Sequence, residues 1–285
     1  MRLIRYGDAN KEKAGIVIDD INYDISSFGE DYNENFLETD GLDRLQKFLV
    51  ENKNKLQRLP ENIRIGSPVA RPSKIICIGL NYADHAKETK ATVPAEPVIF
   101  LKSTSALSGP FDNIVIPKNS KKTDWEVELA VVIGKKATYI DEVNAIKHVA
   151  GYCLHNDVSE REFQLDRGGT WDKGKGCDSF APIGPWLVTK DEITDANNLN
   201  VWLSVNGKVM QNSNTINLIF KIPFLVSYVS QFMTLLPGDV ISTGTPAGVG
   251  LGMNPQIYLK EGDVVELGID GLGTAKQKCA AYGSN

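Results

Sequence analysis

The first part of the chain combines strand-like and helix-like patterns of apolar residues. Residues 1–7 and 15–24 alternate between apolar and polar positions, which is the two-residue period of a β-strand. A polar stretch follows, and the next apolar residues recur at helical spacing, namely Leu42, Leu45, Phe48 and Leu49. The segment GSPVARPSK then has the glycine and proline content of a connection. We therefore predict a small N-terminal α/β domain over residues 1–70 and a second domain over residues 71–285.

The second domain is dominated by short apolar segments bounded by Gly, Pro, Asn or Asp. They are rich in β-branched and aromatic residues, which is typical of strands: KIICIGL, PVIFLK, NIVIP, EVELAVVIG, VAGYCLHND, PWLVT, NVWLSVNGKVM, DVISTG and DVVELGID. The VNG sequence within one of them predicts a tight hairpin turn. Helical segments are fewer, near residues 83–89, after Asp157 and around residues 222–234. Because strands outnumber crossover helices, the pattern predicts an α+β, β-rich fold with a mixed β-roll or barrel, not a doubly wound parallel sheet.

Composition and charge exclude several classes of protein. The 285 residues are 42% hydrophobic and 24% charged, which is typical of a globular chain with a buried core. The net charge of −5 and the lack of a basic run argue against nucleic-acid binding. No stretch approaches about 18 apolar residues and no signal peptide precedes the first strand, so we expect neither a membrane span nor secretion. Four cysteines without a C-x-x-C pair favour reduced thiols in a cytoplasmic protein: Cys77, Cys153, Cys177 and Cys279.

Three carboxylates are candidates for a metal site. In TDWEVELAVVIG the strand period places Glu126 and Glu128 on one face, where two like charges repel unless a cation lies between them. Asp157 ends the apolar run GYCLHND, and a strand end can hold a side chain at the mouth of a cleft. Oxygen ligands alone suit a hard cation such as Mg²⁺, and no His/Cys group with zinc spacing competes. The alternatives are a solvated edge strand for the glutamates and, for Asp157, helix capping beside an S-x-x-E capping box of Ser159 and Glu162.

A histidine and a glutamate in CIGLNYADHAKE are candidates for general-base catalysis. His85 and Glu88 are three residues apart in a predicted helical turn, where side chains at this spacing are neighbours. A carboxylate beside an imidazole orients the ring and raises its basicity. The alternative is an ordinary surface pair. His148 and His155 lack such a partner, and we interpret them as a surface residue and a structural strand residue.

Two glycine-rich loops are candidates for substrate binding. GGTWDKGKGCDSFAPIGPW carries Lys173 and Lys175, and it is either a solvated excursion or a lid that brings an ammonium group to an anionic substrate. STGTPAGVGLG follows a predicted strand, and its Thr245 offers a hydroxyl and an amide to a carboxylate. Neither loop has a P-loop or dinucleotide-binding pattern, so nucleotide binding is not expected. Trp171 and Phe180 are candidates for either pocket lining or ordinary packing.

Taken together, five motifs resemble the fumarylacetoacetate hydrolase family. They occur in order from about residue 70 to the end, and they are NYADHAKE, DWEVELAVVIG, HNDVSEREFQ, KGCDSFAPIGPW and LLPGDVISTGTPAGVG. The resemblance implies the family's β-rich roll, which carries the active site, and a small-molecule 2-keto acid as substrate. It also implies a homodimer.

Nine residues match functional positions of that family. Its metal ligands match Glu126, Glu128 and Asp157. Its histidine–glutamate pair, assisting lysine and three substrate-contacting residues match His85, Glu88, Lys175, Arg161, Gln164 and Thr245. One departure is Gly176, where many members have serine. This departure leaves the charge of the preceding lysine in place but changes the stiffness of the loop.

The longer strings TDWEVELAVVIG, WDKGKGCD and APIGPW resemble one branch of the family. That branch includes hydrolases of 2,4-diketo-3-deoxy-L-rhamnonate and L-fuconate, from carbohydrate catabolism, and relatives labelled ureidoglycolate lyase. The resemblance implies a Mg²⁺-dependent hydrolase, with Mn²⁺ as an alternative, that cleaves the C3–C4 bond of a 2,4-diketo acid. The products would be pyruvate and a small hydroxy acid such as lactate. The same site could serve decarboxylation of oxaloacetate or another 2-keto acid, isomerisation or ureidoglycolate cleavage. From another class, the alternative is a non-catalytic small-molecule-binding protein.

Overall fold

The computed structural model describes residues 1–84 and 93–284, and these residues form a strand-rich fold of sheets with few helices. The predicted α+β, β-rich class is confirmed. Within these two ranges, no helix has both the length and the apolar character needed to cross a membrane.

The strands are numbered in chain order. They are β1 (Arg2–Tyr6), β2 (Lys13–Ile18), β3 (Ile21–Asp24), β4 (Gln57–Arg58), β5 (Ile65–Gly66), β6 (Ile75–Gly79), β7 (Val98–Lys102), β8 (Leu107–Ser108), β9 (Ile114–Ile116), β10 (Thr123–Asp124), β11 (Val127–Ile133), β12 (Val149–Asn156), β13 (Ser159–Glu160), β14 (Ala181–Pro182), β15 (Leu187–Thr189), β16 (Asn200–Val205), β17 (Lys208–Asn214), β18 (Val240–Ser242), β19 (Val264–Ile269) and β20 (Gly273–Ala281).

The helices of the described ranges are short. They are α1 (Glu34–Glu38), α2 (Gly41–Asn52), α3 (Asp172–Lys175) and α4 (Ile222–Val229), with a π-helical segment at Glu162–Asp166. Helix α2 is the one expected from the spacing of its leucines. Leu45 and Leu49 are buried because side chains four residues apart lie on one face of a helix.

An eleven-stranded mixed sheet contains strands from both sides of the predicted domain boundary. Its order is β4-β3-β2-β1-β15-β12-β11-β18-β6-β7, and β5 also pairs with β1. Strand β1 pairs antiparallel with β15 through Arg2 opposite Val188 and Leu3 opposite Leu187. The sheet therefore continues across the predicted boundary near residue 70, and the division of the chain into two domains stays a prediction.

A second sheet has five strands in the order β17-β16-β19-β20-β9, and two small pairs join β10 to β13 and β14 to β8. The VNG turn connects β16 to β17, as predicted. Asn206 and Gly207 both have positive φ, 50° and 78°, and this is the backbone that a two-residue hairpin turn needs.

Strands β11 and β12 lie inside the large sheet and carry the candidate site. Every residue of both strands is buried, and each strand has a hydrogen-bonded neighbour on either side. Their antiparallel register places Val127 opposite Asn156 and Glu128 opposite His155. The start of β11 and the end of β12 therefore lie side by side, and a rigid pair of strands holds the polar side chains found there.

One local prediction is wrong. Ser159 and Glu160 form β13, which pairs with β10, so Ser159 does not precede a helix. Ser159 Oγ instead donates to the carbonyl of Asp157 at 2.9 Å, and the π-helical segment begins only at Glu162. The capping box is absent because strand pairing overrode a local signal that any S-x-x-E sequence carries.

Candidate metal and substrate site

Three buried carboxylates meet where β11 begins and β12 ends. Glu126 precedes β11, Glu128 is its second residue, and Asp157 follows β12. The backbone N–H of Asp157 donates to the carbonyl of Glu126 at 2.9 Å, which ties the two strand ends together. One oxygen from each carboxylate lies within 4.8 Å of the other two. A set of buried oxygen donors this close together suits a divalent cation.

The carboxylates belong to a chain of alternating charges. Arg161 bridges two acids, with its Nε 2.8 Å from Asp124 Oδ2 and its Nη2 2.7 Å from Glu126 Oε1. Lys175 Nζ lies 2.8 Å from both Glu126 Oε2 and Asp157 Oδ2. The predicted loop lysine is therefore buried within the site, and it links two of the three carboxylates.

Lys102 is a member of this chain that the sequence patterns did not indicate. Its ammonium group pairs with Asp157 Oδ1 and also donates to the carbonyl of Val158 at 3.0 Å. The alternation within β7 is the signal that could have found it. Leu101 is exposed, whereas Phe100 and Lys102 share the buried face. A lysine on the buried face of a strand needs a buried anion.

We call the seven ionisable groups of this region the site cluster: Lys102, Asp124, Glu126, Glu128, Asp157, Arg161 and Lys175.

Glu128 is the one carboxylate of the site cluster that, among the described residues, has no cation in direct contact. Its Oε2 accepts hydrogen bonds from Ser242 Oγ at 2.6 Å and from the backbone N–H of Gly244 at 2.9 Å. Burial, together with the negative charges of Asp157 and Glu126, raises the pKa of Glu128 well above its usual value. A divalent cation would compensate this charge, so the donor set fits a metal ion.

An uncharged histidine, His155, contacts Ser242, the residue whose hydroxyl donates to Glu128. His155 Nδ1 lies 2.6 Å from Ser242 Oγ, and burial lowers the pKa of His155 to about 3, which leaves the ring uncharged. Because Ser242 donates its one hydroxyl proton to Glu128, the N–H of the imidazole donates to Ser242. This relay fixes the orientation of Glu128. It gives His155 the structural position that the sequence indicated, but the sequence did not indicate Ser242.

Lys175 and Asp157 both keep their charges at neutral pH. Burial acts to lower the pKa of Lys175, but the negative charges of Asp157 and Glu126 outweigh it and raise the pKa above its usual value. Burial acts to raise the pKa of Asp157, and the charges of Lys102 and Lys175 outweigh that effect and lower it. A permanently charged ammonium group is suited to bind a carboxylate or to stabilise a developing oxyanion.

Four members of the site cluster line the floor of a cavity of about 220 Å³, namely Glu126, Glu128, Arg161 and Lys175. Among the described residues, Gln164 and Thr245 are the other polar side chains of its lining. Larger clefts occur elsewhere on the described ranges, up to about 670 Å³. In those ranges, however, only Glu126, Glu128 and Asp157 are three carboxylates close enough together to hold one ion, and the two glutamates line the smaller cavity.

The predicted substrate-contacting residues reach the cavity, but their polar atoms are partly engaged within the protein. Arg161 Nη1 donates to Gln164 Oε1 at 3.1 Å. The Thr245 hydroxyl donates to the carbonyl of Val127 at 3.0 Å and accepts from Gln211 Nε2 at 2.8 Å. Arg161 therefore also orients the site cluster, and the hydroxyl proton of Thr245 is committed to the backbone. Their roles in substrate binding stay predictions.

The other sequence candidates fall into three groups. His85 and Glu88, the predicted general base and its partner, lie outside the described residues. Trp171 lines the cavity, whereas Phe180 is fully buried in the core. Lys173 lies on the surface, where its Nζ donates to the carbonyl of Arg167, so of the two loop lysines only Lys175 belongs to the site.

Residues 74–280 match the family model described as fumarylacetoacetate (FAA) hydrolase C-terminal. A relative from Burkholderia ambifaria, named "Putative hydrolase", is 52% identical over 281 residues, which is 97% of this chain and 98% of the relative.

Two solved structures extend the comparison. A maleylpyruvate hydrolase from Sphingobium sp. SYK-6, solved with manganese(II) and pyruvate, is 31% identical, with a TM-score of 0.83 over 99% of both chains. A 2-hydroxyhepta-2,4-diene-1,7-dioate isomerase from Mycobacterium marinum is also 31% identical, with a TM-score of 0.74 over the whole of both chains. The proteins similar to this chain thus include both hydrolases and isomerases.

Proposed function

The chain belongs to the fumarylacetoacetate hydrolase family, and from this premise we propose that it is a divalent-metal-dependent hydrolase of 2,4-diketo acids. In the proposed reaction, water adds to the C4 carbonyl and the C3–C4 bond breaks. The C4 side leaves as a carboxylate, C3 takes up a proton to give pyruvate, and one proton is released. The observation that carries the proposal is the group Glu126, Glu128 and Asp157 beside Lys175, in which both glutamates and the lysine line the cavity floor.

The three carboxylates would hold the metal ion. Bound there, Mg²⁺ or Mn²⁺ supplies a Lewis acid that stabilises negative charge on the 2-keto oxygen of the substrate. With all its groups ionised, the site cluster has four carboxylates and three cations, so its net charge is −1. A divalent ion changes this to +1, which complements a monoanionic 2-keto acid. The similarity to a maleylpyruvate hydrolase solved with manganese(II) and pyruvate supports a divalent metal ion and a 2-keto acid as the ligands of this site.

The protein's own side chains provide the remaining chemistry. Lys175 keeps its proton and donates hydrogen bonds to the substrate carboxylate or to the oxygen on which charge develops. Arg161 holds Glu126 and Gln164 in place. The predicted base is His85, oriented by Glu88, which would take a proton from the attacking water. That last role rests on the sequence, as does the homodimer, which light scattering would test against twice the chain mass of 31.3 kDa.

Isomerisation is a second candidate because the chain is 31% identical to a 2-hydroxyhepta-2,4-diene-1,7-dioate isomerase. The same floor could stabilise an enolate while a proton moves along the substrate. An isomerase would change the ultraviolet spectrum of such an enol acid without releasing pyruvate.

The test of the hydrolase is pyruvate release by the purified protein with Mg²⁺, with Mn²⁺ and with EDTA. The substrates are acetylpyruvate, 2,4-diketo-3-deoxy-L-rhamnonate, its L-fuconate analogue, oxaloacetate and ureidoglycolate, the last assayed as glyoxylate. We expect metal-dependent pyruvate from at least one of the 2,4-diketo acids. Activity confined to oxaloacetate or ureidoglycolate would replace hydrolysis by decarboxylation or lyase chemistry.

Two lysines of one loop provide a matched pair of variants for this assay. Lys175→Met removes the buried ammonium group, and we expect kcat/KM to fall about 10²–10³-fold, as for the loss of an oxyanion donor. Lys173→Met removes an exposed lysine two residues away, and its activity should stay within about twofold of the wild type. Equal losses in both variants would remove Lys175 from the mechanism.

A further inference from the structure

Within the part of the chain that the structure describes, the cavity above the site cluster has a wall without charged side chains. This apolar wall is formed by Leu80, Phe100, Leu165, Trp171, Val249 and Leu251. Among these side chains only Trp171 carries a hydrogen-bonding atom, the indole N–H, which can donate but cannot accept. The wall therefore offers a ligand a large apolar area and very little with which to satisfy a hydroxyl group.

The apolar wall extends from the protein surface to the depth of the floor. Leu165 is 45% exposed, whereas Phe100 and Val249 are 8% and 1% exposed, as buried as Glu126, Arg161 and Lys175 on the floor. A small acid that enters past Leu165 thus keeps apolar side chains beside it until it reaches the charged groups. The charged end of a 2-keto acid belongs on the floor, so the group attached to C4 lies along the apolar wall.

The wall is held rigidly against the floor. A Cβ atom on Gly79 would lie 2.6 Å from the ring of Trp171, so the indole packs directly on the backbone there. The rings of Phe100 and Trp171 are 5.2 Å apart at an interplanar angle of 62°. Lys175 Nζ in turn lies 4.9 Å from the centroid of the Phe100 ring, a cation–π distance. The charged and apolar halves are therefore one continuous surface.

On the basis of the function proposed above, we infer that the acyl group beyond the scissile bond is short and apolar. The preferred substrates are then small alkyl acylpyruvates, rather than the hydroxylated acids derived from deoxy sugars. A methyl group against the wall gains the free energy of apolar burial, while a hydroxyl there gives up water without a full set of new partners. A cavity of about 220 Å³ is smaller than the roughly 300–1,000 Å³ of typical ligand pockets, which suits a short chain.

Two stable analogues test the inference without turnover. N-propyloxamate and N-(2-hydroxyethyl)oxamate share the carboxylate and adjacent carbonyl of a 2-keto acid, and they differ only by a terminal methyl or hydroxyl. Isothermal titration of the Mn²⁺-loaded protein gives both dissociation constants. We expect the propyl compound to bind at least about fivefold more tightly, since one buried methylene is worth about fourfold and the hydroxyl adds a desolvation cost.

Two exposed leucines supply the variant and its control. Leu165→Asn places an amide on the apolar wall and should reduce the propyl preference to less than about twofold. Leu101→Asn makes the same change at a leucine that is 39% exposed and does not line the cavity, so the preference should remain. Thermal unfolding of both variants shows whether each is folded.

Each outcome decides the inference. Equal affinities, tighter binding of the hydroxyethyl compound, binding of neither compound, or a preference unchanged by Leu165→Asn would overturn it. Pyruvate release is scored separately. If the protein releases pyruvate but binds both oxamates equally, the proposed function stands and the apolar preference is refuted. If the protein prefers the propyl compound but releases no pyruvate, the hydrolase proposal is refuted and the apolar preference of the site stands.

Discussion

Two charged clusters of this protein are built from the same kinds of side chain but differ in how their charges are paired. The N-terminal cluster consists of Arg5, Glu12, Asp31, Arg64 and Asp112. Each of its carboxylates contacts an arginine, with N···O distances of 2.6–2.9 Å. In the site cluster, within the described ranges, Glu128 lacks such a partner although it is almost completely buried.

The difference separates a structural role from a binding role. The N-terminal cluster joins β1 and β5 to the segment before β9, and its own arginines satisfy its acids. Both clusters have one more carboxylate than cation, but Asp31 and Asp112 of the N-terminal cluster are 33% and 26% exposed. In the site cluster every carboxylate is at most 9% exposed, and Glu128 contacts no cation among the described residues. Surplus buried charge costs folding free energy, and a ligand of opposite charge recovers it. Three substitutions test this contrast.

The largest expected effect is on stability and follows from removing Lys102. Lys102→Met leaves Asp157 with one ammonium partner in place of two, so the metal-free protein should lose about 3–5 kcal/mol of unfolding free energy. Urea unfolding in EDTA measures this loss. Lys53→Met is the control, because Lys53 is 58% exposed and its ion pair is long at 3.7 Å, so the change should be about 0.5 kcal/mol or less. A loss below about 1 kcal/mol for Lys102→Met would mean that water, and not the ion pair with Lys102, stabilises the charge of Asp157.

The second effect has the opposite sign. Glu128→Gln removes the surplus charge, so the metal-free protein should become more stable by about 1–3 kcal/mol at neutral pH. The affinity for Mn²⁺ should fall at least about 100-fold, since a ligand is lost. Urea unfolding and isothermal titration measure the two changes. A variant that is less stable and still binds Mn²⁺ normally would contradict the assignment of Glu128 as both surplus charge and ligand.

The smallest effect is expected from the same change in the N-terminal cluster. Glu12→Gln should destabilise the protein by about 1–2 kcal/mol at pH 7, because Glu12 is paired with Arg64 and Arg5. Burial acts to raise the pKa of Glu12, but the hydrogen bond from Arg64 and the nearby positive charges outweigh it and hold the pKa below its usual 4.5. The stabilisation is therefore complete above pH 4.5 and is lost as the pH falls through the lowered pKa. Unfolding curves at pH 7 and pH 3 should show the difference from wild type shrinking, and a constant difference would contradict the ionic origin.

The fold was predictable where local sequence and tertiary structure agree. VELAVVI is apolar at every position except Glu128, which is typical of a strand buried on both faces, and VNG is a typical hairpin-turn sequence. The capping box of Ser159 and Glu162 failed because a non-local strand pair, β10 with β13, decided that segment. The pairing of β1 with β15 joins residues 184 and 186 positions apart in the chain, Leu3 with Leu187 and Arg2 with Val188, and it left no signal in either segment.

The candidate site was predictable as a set of residue types but not as a network. Glu126, Glu128 and Asp157 stand out in the sequence because acids at the ends of apolar strands are unusual. Lys102 and Ser242 do not stand out, since their partners lie 55 and 114 residues away and only the folded sheet brings them together. Which carboxylate lacks a cation is likewise a property of the packed structure.

The place of β1 beside β15 decides what a shortened chain would expose. A fragment beginning at residue 71 would keep every residue of the family match, yet β15 would lose a hydrogen-bonded neighbour. It would then become an edge strand with unpaired N–H and C=O groups, which is a template for pairing with another chain. We therefore expect the N-terminal strands to guard the large sheet against aggregation by covering this edge.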